Sequence, residues 1–461
     1  MVVSIIQKSQ LEGAKRLDAE YYQPEFLSAI KKLSILKIAQ LGDILDDIRY
    51  GLYVEPDYQE VGVNFIRALN LIDYGIDGEI LKIKKNEVPD KKYLLNKGDI
   101  LMVRSGANTG NIGIIENYLE GSTFGSYTIC LRVTKINPYF LYIFLNSKFG
   151  RLQTSSLQTG MAQPNLNVPN IEEIKIPLNV EGKFQNEIEK NVLTAFKIKE
   201  DSKLLYQQAE NLLLEELKIG DVIDNYELGF VVNLSDIKEN NRCDAEYFQP
   251  KYEKIVKHIK KNCGGVALGD LVTIKKGIEP GAEEYLIPSD TEDVEDEKGK
   301  QFIRVSSLSK FGVNDNDQKY LSEELYQKLK DDFEPKKGEI LLTKDASPGI
   351  AYVLKEDIEG IMSGGILRLK LRNKEVEDEY LVLCINSIVG QMQVERDAGG
   401  SVIAHWRPEQ IKNILIPILP KLIQQKISDL IRQSHVSRKK AKELLEEARR
   451  KVEELIEKGD K

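Results

Sequence analysis

The chain has 461 residues, 41% of them hydrophobic and 30% charged, which is typical of a soluble protein with two or three domains. Its formal net charge of −8 argues against a nucleic-acid-binding protein, although binding depends on the charge of one face and not on the whole-chain sum. The four scattered cysteines form no C-x-x-C pair and the apolar run Tyr139–Leu145 is far shorter than the ~20 residues of a membrane span, so a disulfide framework, a zinc site and a membrane helix are not indicated. The N-terminus carries no secretion signal, and we expect a cytoplasmic protein.

The first 180 residues predict a short leading segment and a mixed α+β unit. Residues 1–35 include RLDAEYYQP, whose acids and aromatics suit packing on a helix or a partner subunit, so we assign this segment a structural role. In residues 36–180, short runs such as Asp99–Val103 are separated by Gly, Asn and Ser clusters and are predicted strands. Asn137-Pro138 suits an N-cap followed by proline at the first helical position, so we predict a helix from Tyr139 to Phe149.

Gly182–Gly220 predicts one long amphipathic helix. Apolar or small residues recur mostly at three-four spacing, and about 35 residues give a helix of roughly 50 Å. So long an apolar seam needs a partner, and Lys421–Lys458 offers a second seam with near-heptad spacing. We predict that the two helices pack against each other and hold two globular units apart.

The segment that follows the first long helix repeats the segment that precedes it. RLDAEYYQP at Arg16–Pro24 recurs as RCDAEYFQP at Arg242–Pro250. Further matches follow in the same order, with an offset that drifts only by short insertions: Phe65-Ile66-Arg67 with Phe302-Ile303-Arg304, Lys97–Leu101 with Lys337–Leu341, Asn146-Ser147 with Asn386-Ser387, Gly150 with Gly390, and Ile174–Pro177 with Ile414–Pro417. The period is far longer than that of a solenoid repeat, which indicates a duplicated domain.

The order unit, helix, unit, helix has a geometric consequence. If the two helices are antiparallel, a rough two-fold axis relates the two units. We therefore predict an α/β (mixed α+β) fold with tandem duplicated domains, separated by long antiparallel coiled-coil helices in a pseudo-two-fold arrangement. A DNA duplex has the same symmetry because its strands are antiparallel, so this design suits a protein that reads two half-sites.

Two motifs occur once in each unit. The first unit carries GDILMVRSGANTGNIGII at Gly98–Ile115 and GMAQPNLNVPNIEEIKIPL at Gly160–Leu178. The second carries GEILLTKDASPGIAYVL at Gly338–Leu354 and GGSVIAHWRPEQIKNILIPIL at Gly399–Leu419. This ordered set, with the helix after each unit, resembles the specificity subunit of type I restriction-modification systems over nearly the whole chain.

The resemblance implies that each globular unit is a target-recognition domain for one half of a split double-stranded DNA site. The helices would fix the half-site separation and dock two methyltransferase (modification) subunits. Those partners would carry S-adenosylmethionine and methylate adenine, and restriction/translocase subunits using ATP and Mg would join them, so no cofactor is expected on this chain. The implied domains are an N-terminal segment (1–35), recognition domain 1 (36–180), a central spacer helix (181–220), a linker (221–241), recognition domain 2 (242–419) and a C-terminal spacer helix (420–461).

Three loops in each unit carry residues suited to holding phosphates or reading base edges. The first is Arg104–Asn111, whose glycines allow close backbone approach, although a plain turn between two strands explains the same glycines. In the second unit, Asp345-Ala346-Ser347-Pro348 replaces Ser105–Thr109, so the two units are expected to read different half-sites. The second loop is Gly160–Asn167. Its counterpart contains Trp406, for which a place in the core is the better interpretation.

The third loop follows the first strand of each unit, at Arg49–Tyr53 and at Lys275-Lys276-Gly277, and an ordinary solvated hairpin is the alternative. Arg67 and Arg304 alternate with apolar neighbours and face either a ligand or a buried ion pair that braces the sheet. The predicted DNA-binding residues are Arg49, Tyr50, Tyr53, Arg67, Arg104, Ser105, Asn108, Thr109, Asn111, Gln163, Asn165, Lys275, Lys276, Arg304, Lys344, Ser347, His405 and Arg407.

The sequence carries none of the common catalytic motifs. H-E-x-x-H, G-x-S-x-G and the Walker-type phosphate loop are all missing, and the three histidines show no metal spacing. Asn137–Phe140 lacks the second proline of the adenine-methyltransferase tetrapeptide, so the helix cap is the better interpretation. We predict a non-catalytic DNA-reading scaffold. Two alternatives stay open: an enzyme with a cryptic active site, such as a self-contained methyltransferase or nuclease, and a scaffold whose repeated units bind peptides.

Overall fold

The computed structural model describes residues 4–8, 11, 17, 19–72, 75–106, 108–160, 164–178, 180–220, 229–281, 284–286, 299–314, 319–399 and 404–459. The chain forms two compact units. Unit 1 comprises Met1–Glu200 and Arg438–Lys461, and unit 2 comprises Asp201–Ser437. None of the helices within the described ranges has the length and apolar character needed to cross a membrane.

Unit 1 combines short strands with helices. Its strands are β1 (Ile38–Gln40), β2 (Leu45–Tyr50), β3 (Tyr58–Gln59), β4 (Val63–Ile66), β5 (Leu71–Ile72), β6 (Gly75–Ile76), β7 (Leu81–Ile83), β8 (Ile100–Val103), β9 (Ile112–Ile114), β10 (Thr123–Phe124), β11 (Thr128–Val133) and β12 (Lys175–Pro177). Its helices are α1 (Pro24–Leu33), α2 (Leu41–Ile44), α3 (Pro138–Asn146), α4 (Lys148–Ser156), α5 (Val168–Glu172) and the first part of α6 (Gly182–Leu217). One sheet has the antiparallel order β2-β11-β8-β9, and a second has the order β10-β4-β7-β3 with β10 parallel to β4.

Unit 2 repeats this topology. Its strands are β13 (Val266–Ala267), β14 (Val272–Lys276), β15 (Tyr285–Leu286), β16 (Lys300–Ile303), β17 (Leu308–Ser309), β18 (Gly312–Val313), β19 (Lys319–Leu321), β20 (Ile340–Thr343), β21 (Ala351–Val353), β22 (Gly360–Met362), β23 (Ile366–Leu371) and β24 (Leu415–Ile416). Its helices are α7 (Leu234–Asn240), α8 (Pro250–Asn262), α9 (Leu268–Leu271), α10 (Glu323–Phe333), α11 (Asp378–Asn386), α12 (Ile388–Asp397), α13 (Pro408–Asn413) and the first part of α14 (Lys421–Lys458). The sheets have the orders β14-β23-β20-β21 and β15-β19-β16-β22, again with one parallel pair, so the duplication inferred from sequence is confirmed as a repeat of the fold.

The two long helices form as the spacing predicts. α6 ends where Lys218 adopts a left-handed conformation (φ 52°), and α14 ends before Gly459 (φ 66°), the usual way for a helix to stop. In unit 1 the buried faces of both helices meet in one core, which contains Val192, Ala195, Ala441, Ala448 and Val452.

The helices are antiparallel within each unit. In unit 1, Lys451 Nζ lies 2.7 Å from Glu187 Oε1, whereas Lys199 and Arg438 both reach the carboxylate of Asp77, so the numbering runs in opposite directions along the two helices. In unit 2, the buried hydroxyl of Ser434 donates to the carbonyl oxygen of Ser202 at 2.8 Å, and Leu213 and Leu217 share a core with Ile427 and Ile431. The predicted pairing of the seams is therefore confirmed inside each unit.

The prediction of a single helix from Tyr139 to Phe149 is wrong in one respect: the segment contains all but the first residue of α3 and the start of a second helix, α4. The Asn137 side chain accepts from the backbone nitrogens of Tyr139 and Phe140 at 2.9 and 3.3 Å, which confirms the helix cap. Ser147 is extended (ψ 165°) and ends α3, and its hydroxyl caps α4. Gly150 belongs to this corner, since a Cβ there would lie 2.4 Å from the carbonyl oxygen of Phe144.

Asp77 bridges the sheet region of unit 1 to both long helices. Its Oδ2 lies 3.0 Å from Lys199 Nζ and 3.6 Å from Arg438 Nη1, and all three side chains are mostly buried. Burial lowers the pKa of Arg438, and Asp77 opposes that shift. Removal of one partner from a buried ion pair leaves a charge that is costly to keep out of water.

We therefore expect Asp77→Ala to lower the free energy of unfolding by about 2–4 kcal/mol. Equilibrium urea unfolding of the full chain, followed by circular dichroism, measures this change. The matched control is Asp57→Ala, because Asp57 pairs with Lys84 on the surface and both side chains are about half exposed. The control variant should unfold at nearly the same urea concentration as the unaltered chain, because an exposed ion pair contributes little to stability. Equal shifts for the two variants would contradict a bracing role for Asp77.

Candidate nucleic-acid interface

In unit 1 the three predicted loops converge beside the β2-β11-β8-β9 sheet. Arg104 follows β8, and its backbone nitrogen donates to the carbonyl oxygen of Tyr127 at 2.9 Å, while its carbonyl oxygen accepts from Leu166 at 2.8 Å. Ser105 forms an antiparallel bridge with Asn165, and the Tyr50 hydroxyl accepts from the Val168 nitrogen at 3.3 Å. Segments that are distant in sequence therefore form one continuous surface, which we call the unit 1 loop surface (residues 50–53, 104–106, 108–109, 126–127 and 164–168).

Arg104 lies at the centre of the unit 1 loop surface. Its guanidinium carbon lies 4.8 Å from the centroid of the Tyr50 ring, and Nη2 donates to Asn165 Oδ1 at 3.3 Å. Stacking on one side and a hydrogen bond on another fix the plane of the guanidinium. A guanidinium has five N–H donors, so a ligand can still meet a positioned donor group here.

Two polar residues of the Arg104–Asn111 loop use their side chains for hydrogen bonds within unit 1 that stabilise the loop. The Thr109 hydroxyl lies 2.6 Å from the carbonyl oxygen of Gly106 and 3.1 Å from that of Pro164. Asn111 donates to the carbonyl oxygen of Leu71 at 3.0 Å, and Arg151 lies 3.4 Å from its Oδ1. Asn108, in contrast, is exposed. The plain-turn interpretation therefore accounts for Thr109 and Asn111, while DNA binding by Arg104, Ser105 and Asn108 stays a prediction.

Arg49 lies inside unit 1, because its side chain is only 11% exposed. It pairs with Asp47 and lies 3.9 Å from Asp99 Oδ2, whose carboxylate also binds Arg132 at 2.6 Å. This burial does not fit the predicted role of Arg49 in DNA binding. It also does not fit the alternative, a hairpin exposed to solvent.

Arg67 is partly buried and contacts its own unit. Its Nη2 lies 3.3 Å from the carbonyl oxygen of Glu79, and its guanidinium carbon lies 5.8 Å from the centroid of the Tyr58 ring. These contacts favour the bracing alternative for Arg67, with a carbonyl and a ring in place of the expected ion pair.

Two tyrosines give the unit 1 loop surface an aromatic character. Tyr53 is 94% exposed and Tyr127 is 58% exposed. Sequence reasoning missed Tyr127, although an aromatic residue after Gly125-Ser126 and directly before a strand is a recognisable pattern. Gln163 was also predicted to bind DNA and lies outside the described residues.

Unit 2 builds the same backbone arrangement with different side chains. The Lys344 nitrogen donates to Gly365 at 2.9 Å, and Trp406 donates to Lys344 at 2.8 Å. The backbones of Asp345 and His405 form an antiparallel bridge, as those of Ser105 and Asn165 do in unit 1. Lys344 is therefore equivalent to Arg104, and His405 is equivalent to Asn165. We call residues 275–277, 344–347 and 404–407 the unit 2 loop surface.

The side chains of this surface carry both signs of charge. His405 Nδ1 lies 2.7 Å from Asp345 Oδ1, and Lys344 pairs with the same carboxylate. Burial acts to raise the pKa of Asp345, but the hydrogen bonds from Lys344 and His405 outweigh it and the pKa is lowered. Sequence reasoning noticed the change at residues 345–348 but did not select Asp345.

The remaining predicted residues of unit 2 are placed as follows. Lys275, Lys276, Ser347 and Arg407 are exposed, whereas Arg304 is partly buried. Trp406 is 1% exposed and belongs to the core, so the core interpretation is confirmed. Among the described residues, no group of His, Cys, Asp or Glu is arranged to hold a metal ion.

Comparison with known proteins gives a family match. A family model described as "Type I restriction modification DNA specificity domain" matches residues 37–199 and 260–446. The comparison with curated proteins finds no match.

Solved structures similar to the chain share little sequence with it. The type I restriction-modification system S subunit from M. genitalium is 14% identical, with 92% of this chain and 96% of that chain covered and a TM-score of 0.40. The HsdS subunit from Thermoanaerobacter tengcongensis is 14% identical, with 92% and 97% covered and a TM-score of 0.29. The type IIG restriction endonuclease BpuSI is 11% identical, with 47% and 35% covered and a TM-score of 0.31.

Proposed function

Because the chain belongs to the type I restriction modification DNA specificity domain family, we propose that it is the DNA-sequence-reading subunit of a type I restriction-modification complex. Residues 36–180 and 242–419 would each read one half of a split target in double-stranded DNA. One observation carries the proposal: two repeats of one fold present different side chains at equivalent loop positions. Arg104 and Asn165 in unit 1 correspond to Lys344 and His405 in unit 2.

The chemistry of the loop surfaces supports DNA reading. An arginine that is held in one plane presents paired donors, which match the O6 and N7 acceptors of guanine in the major groove. Lys275, Lys276 and Arg407 are exposed cations of the kind that bind phosphate oxygens, which fix the register of a protein on the duplex. These local cations, and not the net charge of −8, would determine how the loop surfaces meet DNA.

The long helices suit the role of spacers. α6 contributes its first part to unit 1 and its second part to unit 2, and α14 contributes its parts in the reverse order. We propose that this continuous connection fixes the distance between the half-sites, in the pseudo-two-fold arrangement expected from the sequence. The charged outer faces of the helices would dock two methyltransferase subunits, and restriction/translocase subunits would complete the assembly.

Catalysis in this proposal belongs to the partner subunits. They would carry S-adenosylmethionine, ATP and Mg, and the present chain would bind no cofactor of its own. The test is methylation mapping in a host that expresses this chain with its neighbouring methyltransferase. A split motif with a fixed gap is expected. Binding of S-adenosylmethionine by the isolated chain, together with an unsplit motif, would overturn the proposal in favour of a self-contained enzyme.

The first prediction from this proposal is that the two recognition units read their half-sites independently. Replacement of residues 36–180 by the corresponding unit of another family member should change one half of the methylated motif. The other half should stay the same, because each loop surface is built from one unit. Methylation mapping of the hybrid measures both halves at once, and a change in both would contradict independent reading.

The second prediction concerns the spacer. Insertion of four residues near Leu204 adds about one helical turn, or roughly 5 Å, to α6. We expect the gap between the half-sites to lengthen while the bases read in each half stay the same. An unchanged gap in the mapped motif would show that α6 does not set the spacing.

The third prediction concerns Arg104. If it reads a guanine, Arg104→Ala should relax the preference at one base pair by about 1–3 kcal/mol. Binding of the assembled complex to duplexes substituted at each position measures this effect. Arg104→Lys is the matched variant, since it keeps the charge but loses the planar pair of donors. A loss in the Ala variant that is uniform over all sequences, and restored by Lys, would instead indicate a phosphate contact.

A further inference from the structure

His405 in unit 2 is held by an acidic side chain that has no counterpart in unit 1. Its Nδ1 lies 2.7 Å from Asp345 Oδ1, and the backbones of these two residues form an antiparallel bridge. The His405 side chain is 63% exposed, whereas that of Asp345 is 22% exposed. The ring is therefore anchored at one nitrogen and open to solvent over most of its surface.

The anchor determines which nitrogen carries the proton. The pKa of Asp345 is lowered, so its carboxylate is ionised at neutral pH and can only accept hydrogen bonds. Nδ1 of a neutral His405 must then be the donor, which leaves Nε2 as an acceptor. Lys344 pairs with the other carboxylate oxygen, and no hydrogen bond to Nε2 exists among the described residues. With the ring neutral, the pair thus presents one directed acceptor, Nε2, on the unit 2 loop surface.

We propose that His405, positioned by Asp345, reads an exocyclic amino group in the half-site of unit 2. In the major groove such donors are N6 of adenine and N4 of cytosine, and the acceptor Nε2 is complementary to either. This inference rests on the proposed function, because it assigns a chemical class of base to one of its two readers. The residue equivalent to His405 in unit 1 is Asn165, whose Oδ1 already accepts from Arg104, so the directed acceptor of His405 has no equivalent at that position of unit 1.

Two other roles for His405 fit the geometry less well. A phosphate offers only acceptors, and in the neutral ring Nε2 carries no proton when Nδ1 donates to Asp345. The carboxylate would also repel a phosphate at this position. A hydrolytic His–Asp pair needs a nucleophile hydrogen-bonded to Nε2, and no hydroxyl or thiol of the described residues makes that bond. Asp345 is accordingly a positioning residue, and His405 is the group that contacts the base.

The first test uses the unaltered chain in its complex with the methyltransferase subunits. Each adenine of the mapped target is replaced by purine and each cytosine by 2-pyrimidinone, which removes the amino group and leaves the ring. We expect one position in one half-site to bind about fivefold to tenfold more weakly, the effect of one lost base contact. If removal of the amino group weakens binding at no position in either half-site, the inference is overturned.

The second test uses variants and identifies the unit involved. Asp345→Asn leaves a side chain that accepts from or donates to Nδ1, so both tautomers of His405 become accessible and the preference at that one position should relax about fivefold to tenfold. His405→Ala should lose the same preference. The matched control is Asp270→Asn, which removes one exposed charge from α9 of unit 2 and should leave every position unchanged.

The outcomes separate this inference from the proposed function. A split target that both variants read with full discrimination would overturn the role of His405 and leave the proposed function intact. A complex that reads no split target would overturn both. Weaker binding to every sequence, without a change at any single position, would show that Asp345 only supports the loop, and would overturn the inference.

Discussion

The structure depends on two apolar seams that neither long helix can bury alone. In unit 1, Ile188, Val192 and Ala195 of α6 pack in the same core as Leu445 and Val452 of α14. A fully buried large aliphatic side chain contributes about 1.5–3 kcal/mol, whereas an exposed ion pair contributes about 0–1 kcal/mol. The apolar seam and not the charged rim therefore keeps the helices together, and the core of each unit is incomplete without residues from both long helices.

Because the packed helices and sheets fix the scaffold, the loops of the two units can differ in their side chains. The same backbone hydrogen bonds hold the two loop surfaces, yet the side chains at equivalent positions are not the same. The turn is kept even where it is unfavourable: Ala346 adopts φ 59° after Asp345, where Gly106 adopts φ 102° after Ser105. A non-glycine residue in this conformation is strained, so the surrounding bridge must impose the turn. Loop geometry is thus set by the fold, and the chemistry at each position is set by substitution.

Sequence reasoning succeeded where the information is local or periodic. The duplication, both long helices and the Asn137 cap follow from spacing and from residues close in sequence. It failed where the outcome depends on distant partners. Alternation places Arg49 on one face of a strand, but its burial depends on Asp99 and Phe124, which come from other parts of the sheet region. Similarly, nothing near residue 345 in the sequence indicates that His405 will be its partner.

The net charge of −8 is a sum over the whole chain and does not describe each element, because α14 (Lys421–Lys458) has 11 basic and 7 acidic residues. α14 carries many of its acids in exposed pairs one turn apart, such as Lys442 with Glu446 and Arg450 with Glu454. Such pairs keep a helix soluble and are close to neutral as a surface. The loop surface of unit 2 carries exposed positive charge instead, because Lys275, Lys276 and Arg407 are exposed and Asp345 is already bound to Lys344 and His405. A polyanion responds to the potential near the surface that it contacts, because exposed charges beyond about 8 Å are largely screened at physiological salt. A chain with excess acid can therefore still carry locally cationic loops, so its net charge alone does not argue against DNA binding.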